Sequence, residues 1–192
     1  MSEPAAKTTA RSAAEEALLD AAERLLVDIG YAAITTRKLA EEAGVNHGLV
    51  HYYFGSNESL LVRALERFTE RLIERQRELY ASELPFGEKW RTAMRYLVSE
   101  DVTYEKVWLE LQAMAWNDEG LRDRLARVNA EWRGVLTEAF REPHRELGVE
   151  MPLEALVSLV ITFNVGMIVE RLGGIETGHA ELLDWIDGWL SS

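Results

Sequence analysis

Apolar residues recur along this chain three and four positions apart, almost without interruption. Ala17, Leu18, Ala21, Leu25 and Leu26 make one such stripe, opened by Ser12 and Glu15 as a capping box and closed by Gly30. Leu39, Ala40 and Ala43 make a shorter one, with Thr35 placed to cap it and Gly44 to stop it. Val45 reads as a packing residue in the turn. Asn46 then caps another short helix, whose exposed face carries His47, Leu49 and Tyr52, with His51 and Tyr53 at its margins. A long helix follows from Glu58 to about Ala81, capped by Ser56 or Asn57. Its polar side interleaves Arg63, Arg67, Arg71 and Arg75 with Glu66, Glu70, Glu74 and Glu78, the pattern of an ion-paired, solvated surface. Pro85 and Gly87 break the chain. Beyond them helices are predicted near 87–101, 103–117, 119–141, 153–172 and 179–190, separated by breaks at Asp118 to Gly120, Pro143 to Pro152 and Gly173 to Gly178. No segment alternates with period two, so the pattern predicts an all-α fold of about nine helices.

Composition narrows the chemistry. The 192 residues are 47% hydrophobic, enough to bury a full core, and contain no cysteine, which excludes disulfides and thiol catalysis. No apolar run is expected to reach the length of a membrane span, and Met1 to Ala10 lack the apolar core of a secretory signal, so a soluble cytoplasmic protein is expected. The formal net charge is -12, and even the first 80 residues are acidic, with 10 basic against 13 acidic side chains. Any binding to nucleic acid must therefore rest on a local cationic surface. A short helix carrying imidazole, phenol and amide groups suits a DNA groove.

On these residues the segment from Ser12 to about Leu65 resembles the tetracycline-repressor (TetR) family of bacterial transcription regulators. The resemblance is carried by Gly30-Tyr31, then Thr-Thr-Arg-Lys-Leu-Ala at 35–40, Ala-Gly-Val at 43–45, an aromatic-rich helix, Phe54, and Leu60-Leu61. Residues 1–11, rich in Ala, Thr and charge, read as a disordered tail; the resemblance implies a three-helix helix-turn-helix DNA-binding domain over 12–57, a connecting helix over 58–81, and a ligand-binding and dimerisation domain over 82–192. It also implies that Thr35 and Thr36 bond phosphate, where a helix N-terminus attracts an anion in any case. Arg37 matches an arginine that reaches a guanine edge, and Lys38 is a simpler phosphate contact. Asn46, His47, Gly48, Leu49, His51, Tyr52 and Tyr53 complete the expected DNA surface. The chain departs from the family at His51, where a tyrosine is usual, and at Asn57, where a lysine is common. Each lost phosphate contact lowers the salt slope by about one.

All six tryptophans lie beyond Pro85. Large adaptable side chains of this kind line apolar cavities as readily as they fill cores. Trp90, Met94, Trp108, Leu111, Trp132, Phe163 and Met167 are the candidate ligand-binding residues. Apolar residues surround most of the helix over 153–172, which therefore needs cover on two fronts. Leu156, Val160, Asn164, Ile168, Leu182, Ile186 and Trp189 are the candidate dimer interface, and the resemblance implies a homodimer on a palindromic operator. No cofactor, metal site or catalytic constellation is expected. His47 and His51 have metal-pair spacing but no third ligand nearby, and His144 and His179 read as surface groups. The reading is a ligand-responsive regulator, most simply a repressor released by a small, largely apolar effector. The alternative is a helical small-molecule binding module with weak or lost DNA affinity. A helical enzyme stands further off.

Overall fold

The computed structural model describes residues 3–148 and 150–190, with side chains from residue 13 onward. Among the described residues there are nine α-helices and no strand, and about 84% of them are helical. The helices are α1 (Glu3–Ile29), α2 (Thr36–Ala43), α3 (Gly48–Phe54), α4 (Asn57–Ala81), α5 (Phe86–Arg95), α6 (Val102–Ala115), α7 (Glu119–Glu146), α8 (Leu153–Leu172) and α9 (His179–Leu190). A 3-10 turn spans Tyr31–Ala33, and a π-helical turn, Tyr96–Glu100, joins α5 to α6.

Two compact units emerge. The first takes residues up to Glu70 together with Val107–Ala113 of α6. Its core is small and dry: Leu18, Ala21, Ala22, Leu39, Val50, Leu60 and Ala64 are each 0% exposed. The α1–α2 face is tied at its edge by Arg24 to Glu42 at 2.8 Å. Arg67 of α4 departs from the solvated pattern. Its guanidinium meets Glu23 and Glu16 at 2.7 Å and Asp20 at 2.5 Å, and its side chain is only 18% exposed. The spacing of 16, 20 and 23 places all three carboxylates on one face of α1. Burial alone would lower the Arg67 pKa, but hydrogen bonds and charge from Glu23 and Asp20 raise it above the ordinary guanidinium value.

The second unit takes Arg71–Lys106 and Met114 onward. Trp90, Ala93, Met94, Leu136, Phe140, Val157 and Val160 form its buried cluster, with Trp132, Leu183 and Ile186 packed against it. Phe140 is the hub of the aromatic contacts: Phe86 stands edge-on at 5.1 Å and Trp90 at 6.1 Å between ring centroids. Such edge-to-face pairs place positive ring edges against negative faces.

Two boundaries and one expectation of apolarity differ from the sequence pattern. The chain from Glu3, expected as a tail, is helical, because Pro4 is tolerated in a first turn and the alanines that follow favour helix. Met1, also within the expected tail, lies outside the described residues. The expected break at Pro143 does not occur: α7 continues to Glu146, since a proline this close to the C-terminus removes one hydrogen bond with little helix left to disturb. Helix α8 also overturns the expectation that no segment is long and apolar enough for a bilayer. It has 20 residues and a mean hydropathy of 1.7 over its most apolar window. Ser158, Thr162 and Asn164 are spread too thinly along it to lower that average.

Replacing Arg67 by alanine leaves three carboxylates of α1 without their common cation. Chemical denaturation should show a loss of roughly 1–2 kcal/mol in low salt, shrinking in about 1 M salt. An unchanged midpoint in both conditions would show that the cluster contributes nothing.

Candidate functional site

The turn between α2 and α3 is set by backbone geometry. Gly44 takes a left-handed conformation, φ 67°, which costs a residue with a Cβ about 1 kcal/mol or more. Its N–H reaches the Glu41 carbonyl at 3.2 Å, while Val45 N–H reaches the Ala40 carbonyl at 2.9 Å, a Schellman closure. Thr35 caps α2, its Oγ1 accepting from Lys38 N–H at 3.3 Å. That hydroxyl therefore has a structural task besides any phosphate contact. Asn46 starts α3 through its Oδ1, which accepts from Gly48 N–H at 2.8 Å. A Cβ on Gly48 would stand 3.2 Å from that same Oδ1, so glycine keeps the cap unstrained.

Helix α3 exposes His47, Gly48, His51 and Tyr52, half-buries Leu49 and Tyr53, and fully buries Val50. Tyr52 and Tyr53 meet edge-on at 5.0 Å. Arg37 lies beside this surface on α2, with its Nε on Glu41 at 2.8 Å and no burial to hold it there. Lys38 Nζ donates to the Ala33 carbonyl at 3.0 Å. Two residues flagged from sequence serve the fold. His51 Nδ1 sits 3.1 Å from the Gly55 carbonyl, which leaves Nε2 as the outward nitrogen. Asn57 turns its amide inward, Nδ2 to the Ile34 carbonyl at 3.4 Å, while Ser56 accepts from Ser59 N–H and so caps α4.

The second unit contains a cavity of about 30 Å³. Trp90, Met94, Leu97, Trp132 and Leu136 give it an apolar wall, and Gln76, Asp101, Glu105 and Asn164 a polar one. The π-helical turn, closed by Asp101 N–H to the Tyr96 carbonyl at 2.9 Å, carries the stripe of Met94 and Leu97 on to Asp101 and Glu105. Arg75 pairs with Asp101 and lies 4.0 Å over the Tyr96 ring, so its charge is already engaged. Glu105 keeps part of its surface in solvent while its carboxyl group lies deep in the unit. Burial, with the nearby Asp101 charge, pushes its pKa up to about 8.

Residues 18–64, the span that holds this helix-turn-helix, match the family model for bacterial regulatory proteins of the tetR family. This segment is a tetR-family domain. It is 30% identical over 139 residues to the HTH-type transcriptional repressor KstR2 of Rhodococcus jostii. That match covers 72% of this chain and 65% of KstR2, a little under two thirds of the relative. The HTH-type transcriptional repressor AcnR of Corynebacterium glutamicum is 25% identical over 182 residues, covering 89% of each protein. Among solved structures, a transcriptional regulator from Saccharomonospora viridis in complex with choline superposes with a TM-score of 0.75 over 94% of each chain, at 21% identity. At that identity the likeness is one of fold.

Within this TetR fold several candidate residues fall elsewhere than expected. Trp90, Met94 and Trp132 line the cavity, but Trp108, Leu111, Phe163 and Met167 do not. Trp108 and Leu111 sit in the stretch of α6 that belongs to the first unit, and Leu111 is 0% exposed there. Phe163 packs against the aromatic cluster, and Met167 is buried. Of the candidate dimer residues, Val160 and Ile168 are buried within their own unit, Asn164 lines the cavity, and Leu156 and Ile186 pack on the core. Leu182 and Trp189 are exposed. Leu159, Val165, Val169, Leu172 and Trp185 are exposed as well. On a helix apolar nearly all round, periodicity cannot say which side faces in. His144 and His179, expected at the surface, are half-buried: Nε2 of His144 lies 2.6 Å from the Met151 carbonyl, and His179 holds Glu170 at 2.7 Å. The sequence reading missed the polar wall altogether. Its signal was Gln76 on the buried stripe of Leu72 and Ile73.

The Glu105 shift carries a sign. A carboxyl whose folded pKa lies above its ordinary 4.5 stays protonated in the fold where the unfolded chain is ionised. Its contribution is therefore fully present at acid pH and is lost as pH rises toward about 8. Glu105→Gln should be more stable than the parent by about 2 kcal/mol near pH 9 and equal to it near pH 4, measured by denaturation at both. The same difference at both values would contradict the burial account.

Proposed function

We propose that this chain is a ligand-responsive DNA-binding transcriptional regulator, a repressor that binds a palindromic operator as a homodimer in the cytoplasm. A small, largely apolar effector held in the C-terminal cavity releases it. The observation that carries this reading is the pairing of a freely exposed Arg37 with the exposed His47, Gly48, His51 and Tyr52 of α3. The Thr35–Thr36 start of α2 adds backbone donors for phosphate. Arg37 is held only by an exposed pair with Glu41, a contact of little net worth, so a guanine edge or a phosphate can take its fork. In a chain of net charge -12, that local group must do the electrostatic work.

The outward faces of α8 and α9 support self-association, since exposed Leu159, Val169, Leu182 and Trp185 form an apolar surface of the kind that marks an interface. A two-fold pair of protomers would set two α3 helices on successive turns of the duplex. Helix α4 supplies residues to both units, so an effector that moves its C-terminal half alters the setting of its N-terminal half. Effector and DNA then oppose one another through one coupling free energy, typically ~1–3 kcal/mol. Relatives named as transcriptional repressors support this class over an enzyme.

A second reading has its own support. Arg37, Lys38 and Asn57 are each engaged within the protein, consistent with a ligand-binding module of weak DNA affinity. Selection of genomic fragments by the purified protein, followed by titration of the enriched duplex at several salt concentrations, separates the two. A regulator enriches a palindrome, with Arg37→Ala weakening it about ten-fold. Absence of enrichment at every salt concentration favours the module. Sedimentation should separately show a dimer for the parent and a monomer for Val169→Glu, which places a charge on the exposed apolar face. A dimer for both would move the interface elsewhere.

A further inference from the structure

We propose that the cavity selects a protonated primary or secondary amine carried on an apolar body; this rests on reading the cavity as the effector site. Gln76 is 6% exposed and its Oε1 has no hydrogen-bond partner, and the same is true of Asn164 Oδ1. Both line the cavity together with Asp101 and Glu105. Buried acceptors left unmet are costly, so a ligand that supplies donors gains from each one.

The two amides alone do not fix the ligand, because rotation exchanges their oxygen and nitrogen. The carboxylates do. No lysine, arginine or histidine lines the cavity. Arg75, the cation beside it, is spent on Asp101 and the Tyr96 ring, and its own unpaired Nε lies off the cavity wall. No cation among the described residues pairs with Glu105, so it is the group whose charge the site leaves uncompensated. Its raised pKa agrees with this, since the empty cavity favours the neutral acid and an arriving cation favours the carboxylate.

An ammonium group carries up to three donors and one positive charge, matching Glu105, Gln76 and Asn164 together. Its apolar body would lie on Trp90, Met94 and Trp132, and an indole face attracts a cation as well. A carboxylate ligand would meet like charge with no compensating cation. A quaternary ammonium would answer the charge but leave the amide acceptors unmet, and an alcohol would answer one acceptor and no charge. The cavity has room for only one or two waters as it stands, so binding must widen it. Met94 and Leu97 can repack, and the π-helical turn beside them is the irregular element that can yield.

The full-length protein is titrated with octylammonium, octyltrimethylammonium, octanol and octanoate, followed by calorimetry and tryptophan fluorescence. Octylammonium should bind about ten-fold or more tightly than octanol, with the quaternary ion between them and octanoate weakest. Glu105→Gln should bring octylammonium down to the octanol level while leaving octanol unchanged. It alters the net charge by at most a single unit, so it also controls for general attraction of cations to an acidic protein. Gln76→Leu should narrow the gap between the primary and quaternary ions, and thermal melts by circular dichroism establish that each variant folds. Octanol or octanoate binding as tightly as octylammonium, or a full amine preference in Glu105→Gln, would overturn the amine assignment while leaving the effector site standing. Binding of none of the four would remove the effector site itself, and the amine assignment with it.

Discussion

Helix α3 has seven residues, about half the length at which an isolated helix persists in water. Everything proposed for the reading surface depends on how so short an element is held. Its single fully buried side chain, Val50, joins a core of Leu18, Leu39, Leu60 and Ala64 that is equally dry. Its ends are fixed by the Asn46 cap and the His51–Gly55 closure. With one face anchored and both ends tied, the helix holds His47, Gly48 and Tyr52 outward. The same economy explains why His51, which replaces a phenol usual in the family, still suits the site: its Nδ1 serves the turn while Nε2 faces out.

The second unit solves a different problem. Its aromatic cluster around Phe140 is tightly packed, yet beside it the chain retains Gln76, Asn164, Asp101 and Glu105 at a cavity wall. A core built for stability alone would place apolar groups there, because unmet buried acceptors and an uncompensated carboxyl group both oppose folding. A regulator accepts that penalty when a ligand relieves it, since the relief is what distinguishes the loaded state from the empty one. In the proposed mechanism helix α4 carries this difference, as one continuous helix contributes Leu60, Leu61 and Ala64 to the first unit and Leu72, Gln76 and Tyr80 to the cavity.

Much of this was legible in the sequence where one residue type has one use. Thr35, Gly44 and the Leu39 stripe announced α2 because a capping hydroxyl, a left-handed glycine and a buried leucine are hard to mistake for anything else. Arg67 was not legible: the arginines and glutamates interleaved along its helix resemble any solvated surface, and only the tertiary fold shows carboxylates of α1 arriving from 44 to 51 residues away. Which side of α8 faces its own core was illegible for a related reason, since apolar residues all round it carry no directional signal. The polar cavity wall was overlooked because attention to large apolar side chains passes over a lone glutamine on an apolar stripe.

The central claim is that α2 and α3 form the surface that meets DNA. Backbone amide resonances of the isotopically labelled protein, recorded with and without the enriched duplex, test it directly. The account predicts large perturbations over Thr35 to Lys38 and Asn46 to Tyr53, much weaker ones elsewhere in the first unit, and their disappearance in high salt. Perturbations centred outside these two segments, or none at a concentration where the duplex is bound, would contradict it.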